Sequence, residues 1–201
     1  MRSGTGGADV PCGSCRGCCR SSMFIRIAPD ETNAIRRIPK ALLFAAPGLP
    51  KGHVLMGYDD AGACPMLVDN ECSIYEDRPR TCRNYDCRVF AATGIAVDPT
   101  IQAEIADRVR SWAFTYEGDA SREEHRLLQE TAAFLQNNRD LFPEGSLPAY
   151  PVQLAALVVR IYELFADLTG SERQQGSRPS DAAIAQAIVI AMRDERQRPI
   201  G

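Results

Sequence analysis

The stretch PCGSCRGCCR, residues 11–20, places four cysteines in eight positions, Cys12, Cys15, Cys18 and Cys19, and four more follow at Cys64, Cys72, Cys82 and Cys87. No cysteine occurs after Cys87. A thiolate is a soft ligand, and four of them close a tetrahedral zinc site or hold a four-iron cluster. The run Cys12, Cys15, Cys18 suits that use, because a loop with glycine between its ligands turns back on itself, and Gly13 and Gly17 lie between these three. All eight cysteines are therefore candidate metal ligands. Their spacing leaves two cofactors open, zinc or an iron–sulfur cluster of the 4Fe–4S type.

The two groups differ in character. Adjacent side chains diverge, so Cys18 and Cys19 are not both expected on one ion; one of them serves a second centre or is a buried thiol. The second group, C-x7-C-x9-C-x4-C from Cys64 to Cys87, has irregular spacing, and its ligands are expected from separate elements. Three close cysteines with a distant fourth followed by proline, here Cys64-Pro65, is an arrangement that iron–sulfur proteins use. Arg78, Arg80, Arg83 and Arg88 crowd the second group. Beside a thiolate centre they would offset its negative charge. The alternative is a solvated turn in which they pair with Glu76, Asp77 and Asp86.

The elements that position these residues divide the chain in two. A region over 1–95, rich in glycine and proline, reads as loops and short strands: MFIRI (23–27), HVLMGY (53–58) and CPMLVDNECSIY (64–75), with Asp69-Asn70 as a turn and a helix over 29–38. A region over 96–201 reads as four amphipathic helices. The first follows Asp98-Pro99 and carries Ile101, Ile105, Val109, Trp112 and Tyr116. The second starts at Ser121, with Glu124 at capping-box spacing. The third covers 151–169 and stops at Gly170, and the fourth starts at Ser180-Asp181 and carries Ile184, Ile188, Ile190 and Met192. The segment QQGSRPS (174–180) is a candidate connector. The expected fold class is α+β, a cysteine-rich N-terminal half with short strands and loops and a helical C-terminal half, packed as one unit.

Composition removes several function classes. The chain has 201 residues, 45% of them hydrophobic, and a net charge of -3, which argues against a dedicated nucleic-acid or membrane-surface protein. The N-terminal stretch lacks the apolar core of a secretory signal, and no segment gives about eighteen uninterrupted apolar residues. The expected location is the cytoplasm, where thiols stay reduced and cysteines serve as ligands or redox groups rather than staples. His53 and His125 read as solvated or core histidines. The carboxylate pairs Asp59-Asp60 and Glu123-Glu124 read as solvent-facing, and Trp112, Phe114 and Tyr116 as core packing. No Ser/His/Asp set or phosphate loop stands out.

The motif CGSCRGCC, followed by CPMLVDNECSIYEDRPRTCRNYDC (64–87), resembles the bacterial cysteine-cluster family of zinc- or iron-chelating proteins. The second block matches that family's pattern in order at Cys64, Pro65, Leu67, Cys72, Ile74, Tyr75, Arg78, Pro79, Cys82, Arg83, Tyr85 and Cys87. One departure lies between Cys12 and Cys15, where the family often has three residues and this chain has two, Gly13 and Ser14. The resemblance covers about residues 12–90 and implies a metal-binding protein. The family includes flagellin lysine N-methylases, so it also implies an alternative, a protein-modifying enzyme acting on a protein substrate. A third reading makes the metal structural and the helical half a docking surface for a protein partner.

Overall fold

A computed structural model of the chain describes residues 14–170 and 178–197, with side chains to residue 194. The fold is α+β. In chain order the elements are β1 (Ile25–Ile27), α1 (Thr32–Arg37), β2 (Leu43–Ala45), β3 (Val54–Met56), β4 (Leu67–Val68), β5 (Glu71–Cys72), α2 (Arg80–Arg83), α3 (Arg88–Thr93), α4 (Ala103–Ser111), α5 (Asp119–Asn137), α6 (Pro151–Thr169) and α7 (Asp181–Gln197). They fall into two compact units. The described part of the first comprises 14–87 and 97–111; that of the second comprises 88–96, 112–170 and 178–197.

The first unit is built on a three-stranded antiparallel sheet in the order β1-β3-β2, with Ile25 opposite Met56 and Leu43 opposite Met56 on the other side. Alternation along β1 buries Ile25 and Ile27 and exposes Arg26, as a strand with one covered face requires. Ile25, Ile27, Ala34, Ile38, Met56, Met66 and Ile74 form the core, and Cys64, Cys72 and Cys82 pack against it half-buried. The hairpin β4–β5 turns through Asp69 (φ 49°) and Asn70 (φ 63°). Two consecutive left-handed residues are what a two-residue hairpin loop needs to match strand twist, and Asp and Asn tolerate that region.

The second unit is helical. Leu128, Ala132 and Leu135 of α5 and Leu154, Leu157, Val158 and Ile161 of α6 are buried at helical spacing, α3 contributes Phe90, and α7 contributes Ile184 and Ile188. Phe134 packs its ring against Phe165 (centroids 5.2 Å) and Phe142 (6.4 Å). Pro151 occupies the first turn of α6, where a missing N–H costs nothing.

Several boundaries differ from expectation. Strand β2 and helix α3 were not expected; three residues of strand are too few to show a period. The helix expected from Asp98 begins only at Ala103, because the Asp98 carboxylate accepts from the Thr100 N–H (2.8 Å) and hydroxyl (2.6 Å) and holds a turn instead. It ends at Ser111, which leaves Ile101 64% exposed and Trp112 and Tyr116 beyond it. Trp112, Phe114 and Tyr116 are not core. Phe114 and Tyr116 pack their rings on His125 at 5.0 and 5.7 Å, the Tyr116 hydroxyl lies 2.5 Å from His125 Nδ1, and the Arg88 guanidinium lies over Trp112 at 5.9 Å. Helix α5 starts at Asp119 rather than Ser121; the Ser121 hydroxyl instead donates to the Gly118 carbonyl (2.9 Å). Glu124 is half-buried and accepts from the Tyr162 hydroxyl at 3.1 Å, so it does not face solvent as expected. Ile190 is 51% exposed, off the stripe of Ile184, Ile188 and Met192. Connector residues 174–177 lie outside the described residues.

Candidate metal centre

The first cysteine group sits on a one-turn 3-10 segment, Gly17–Arg20, within the first unit. Gly17 is buried, and a Cβ there would lie 3.1 Å from the Ile105 nitrogen and 3.2 Å from Glu104, so glycine allows the turn to sit against the start of α4. Arginines tie this turn to the β4–β5 loop. The Arg16 Nε donates to the Asn70 carbonyl at 2.9 Å, and Arg20 donates to the Asn70 side-chain oxygen at 2.6 Å and to Glu104 at 2.9 Å. The Cys64 N–H donates to the Cys19 carbonyl at 2.7 Å, which brings the two cysteine groups together through the backbone.

The remaining thiols come from separate elements, as their spacing suggested. Cys64 precedes β4, Cys72 ends β5, and Cys82 lies in α2. Helix α2 is one turn long and cannot hold itself in place. Three bonds anchor it: Thr81 Oγ1 donates to the Arg26 carbonyl in β1 (2.6 Å), the Arg80 N–H donates to Glu31 (2.6 Å), and the Arg80 guanidinium pairs with Asp30 (2.6 Å).

Cys15, Cys18, Cys19, Cys64, Cys72 and Cys82 line one cavity of about 390 Å³, together with Arg16, Arg78, Arg83, Tyr85 and an apolar wall that includes Met56, Met66 and Ile74. None of the seven described cysteines is in a disulfide. Cys87 is buried and does not line the cavity, and Cys12 lies outside the described residues. Of the arginines, Arg78 and Arg83 face the cavity, while Arg80 is engaged by Asp30 and Glu31 and Arg88 belongs to the second unit. Arg78 lies 3.8 Å over the Tyr75 ring, and Arg83 donates to the Arg78 and Glu76 carbonyls at 2.8 and 3.0 Å. Sequence reasoning did not single out Arg16, and Tyr85 entered only as one position in a motif; neither has a residue type that by itself signals a metal site.

Among the six thiols, Cys19, Cys64 and Cys72 all act on Cys82, and Cys19 acts on Cys64 and Cys72. Burial pushes the Cys82 thiol up to about 12, and the neighbouring Cys64, Cys19 and Cys72 sulfurs add to the rise. Burial also raises Cys64, with Cys19 and Cys72 contributing, and raises Cys72, with Cys19 contributing. Cys19 moves the other way, down to about 7, because the Cys18 thiol donates a hydrogen bond to it and the Arg16 and Arg20 guanidiniums are close. One member of the set thus ionises near neutral pH, and each further ionisation is opposed by the charge already there. A cation removes that opposition.

The residues therefore fit a metal group in their donor chemistry. The donors are soft sulfurs. The Tyr85 hydroxyl is buried with no hydrogen-bond partner among the described residues. Among the described residues, no three His, Cys, Asp or Glu side chains are close enough together to hold one ion as placed. A tetrahedral zinc site brings its sulfurs to about 3.8 Å from one another, from Zn–S bonds of about 2.3 Å.

No helix among the described residues is long and apolar enough to cross a membrane. Neither a curated protein nor a solved structure matches the chain. A family model does match, over residues 11–107, which takes in all eight cysteines and the whole cavity. That segment, just under half of the chain, matches the CxxCxxCC family, whose description reads "Putative zinc- or iron-chelating domain".

Proposed function

We propose that this chain binds an iron–sulfur cluster in the cysteine-lined cavity, with Cys19, Cys64, Cys72 and Cys82 as its four thiolate ligands. The observation that carries the reading is that these four sulfurs line one cavity of about 390 Å³, where Cys64, Cys19 and Cys72 all act on Cys82. Four thiolates are the usual ligand set of a four-iron cluster. Arg16, Arg78 and Arg83 on the cavity wall offset the negative charge that four thiolates bring. Cys15 and Cys18 line the same cavity beside the quartet, and neither is in a disulfide. Seven described cysteines outside disulfides favour a reducing compartment, the cytoplasm.

A serine scan tests the ligand set. Each of Cys19→Ser, Cys64→Ser, Cys72→Ser and Cys82→Ser replaces a soft sulfur by a neutral hydroxyl, and each should lose most of its bound metal during anaerobic purification. Cys87→Ser, outside the cavity lining, should keep it. Full metal content in any of the four, or equal loss in Cys87→Ser, contradicts the assignment.

A further inference from the structure

We infer that the open face of the three-stranded sheet in the first unit is a docking surface for a second copy of this chain, the two copies pairing about a two-fold axis as a weak homodimer. The inference does not depend on which metal the cavity takes, because none of the residues that carry it lines the cavity.

A sheet with one covered face ordinarily turns polar side chains outward on the other. Here the positions that alternate with the buried Ile25, Ile27 and Met56 are Phe24 and Arg26 along β1, Phe44 on β2, and Leu55 and Gly57 along β3, so only one of them is polar. Phe24 packs edge to face on Phe44 with 5.9 Å between ring centroids, and Tyr58 lies 5.2 Å from Phe24. Both phenylalanine rings come within 3.6 Å of where a Cβ on Gly57 would stand, so they close over that glycine. Despite this mutual packing, Phe24 stays 55% exposed, Phe44 44% and Tyr58 42%. At about 200 Å² for each side chain, roughly 300 Å² of contiguous aromatic surface meets solvent, a size at which a patch marks an interaction site.

The charges around the patch choose its occupant. Strands β1 and β3 run antiparallel with Ile27 opposite Val54, so Arg26 and Lys51 lie toward one end of the aromatic group, and Asp59 and Asp60, which follow Tyr58, toward the other. Arg26, Lys51 and Asp60 are exposed and have no side-chain partner among the described residues. The acids nearest the basic end, Asp30 and Glu31, are already paired with Arg80, and Asp59 accepts from the Ala61 and Ala63 N–H groups. An apolar centre with one basic and one acidic end is complementary to itself after a half-turn, which is what an isologous dimer requires: Arg26 of each copy meets Asp60 of the other. A stable dimer hides about 800 Å² on each partner. The aromatic centre supplies less than half of that, so the copies associate weakly, in the micromolar range.

The experiment is sedimentation velocity on the full chain, reduced and with its metal as isolated, over about 1–200 µM protein. The wild type should pass from monomer to dimer across that range. Phe24→Ser combined with Phe44→Ser should stay monomeric throughout while its circular dichroism and metal content match the wild type, because both side chains stand on the solvent side of the sheet. Arg26→Glu and Asp60→Arg should each weaken the dimer about tenfold or more by setting like charges against each other, and the two changes together should restore it. A wild type that is monomeric at the highest concentration overturns the inference and leaves the face to an unlike partner or to the helical unit. So does a dimer that survives the paired serine substitutions, or one that the double charge reversal fails to restore.

Discussion

Metal binding to the quartet should displace several protons, and the number can be worked from the site. At neutral pH Cys82, raised to about 12, is fully protonated, and Cys64 and Cys72, raised by burial, are protonated too. Cys19, at about 7, is half ionised. Four coordinated thiolates therefore release about three to four protons per metal group. The sign follows: at lower pH more protons compete and affinity falls, by about a thousandfold or more per pH unit near neutrality. The dependence should steepen below pH about 7, where Cys19 also holds its proton, and flatten toward three protons above it. Calorimetric titration of the anaerobic stripped protein with Zn²⁺ as probe, in buffers of different ionisation enthalpy, counts the protons directly. Release of one proton or fewer would refute the reasoning, because it would mean that most of the quartet either does not bind or is already ionised.

Other perturbations separate the parts of the account. Gly17→Ala places a methyl about 3 Å from the backbone of α4 and should cost roughly 1–3 kcal/mol in chemical denaturation, with metal retention weakened because the turn bearing Cys18 and Cys19 must shift. Leu135→Ala, in the core of the second unit, should destabilise by about 2–5 kcal/mol while metal per folded chain stays at the wild-type level; a parallel loss of metal would show that the centre depends on the helical unit. The stripped protein should lose stability as pH rises above about 9. Its buried Cys82 has a raised folded-state pKa, so stability is intact below the unfolded-state value and declines through the folded one, and a melt series across alkaline pH reads the decline.

Much of this was written in the sequence, and unevenly. Helices α5, α6 and α7 were legible because apolar residues at three and four positions, such as Leu128, Leu135, Leu154 and Val158, can be satisfied only by a helix with one covered face. The short elements were less so. Strand β2 is three residues, and what fixes it is its pairing with β3, a long-range fact. Trp112, Phe114 and Tyr116 carry the composition of core residues but fall past the end of α4, where Phe114 and Tyr116 pack on His125 and Trp112 lies under the Arg88 guanidinium. In the site, residue type announced the thiols, but convergence could not be read from spacing. Cys64, Cys72 and Cys82 meet Cys19 through a backbone bond from Cys64 and the anchoring of α2 on β1. The neighbours Cys18 and Cys19 both line the cavity, which is broad enough to receive two successive positions of one tight turn. Tyr85 was silent because an orphaned hydroxyl is visible only once its surroundings are known.

The central claim, a polynuclear metal group on cysteine thiolates, is tested most directly by measuring iron, zinc and acid-labile sulfide per chain in protein purified without oxygen. The account predicts about four iron and four sulfide per chain with little zinc. One zinc per chain and no sulfide would contradict it.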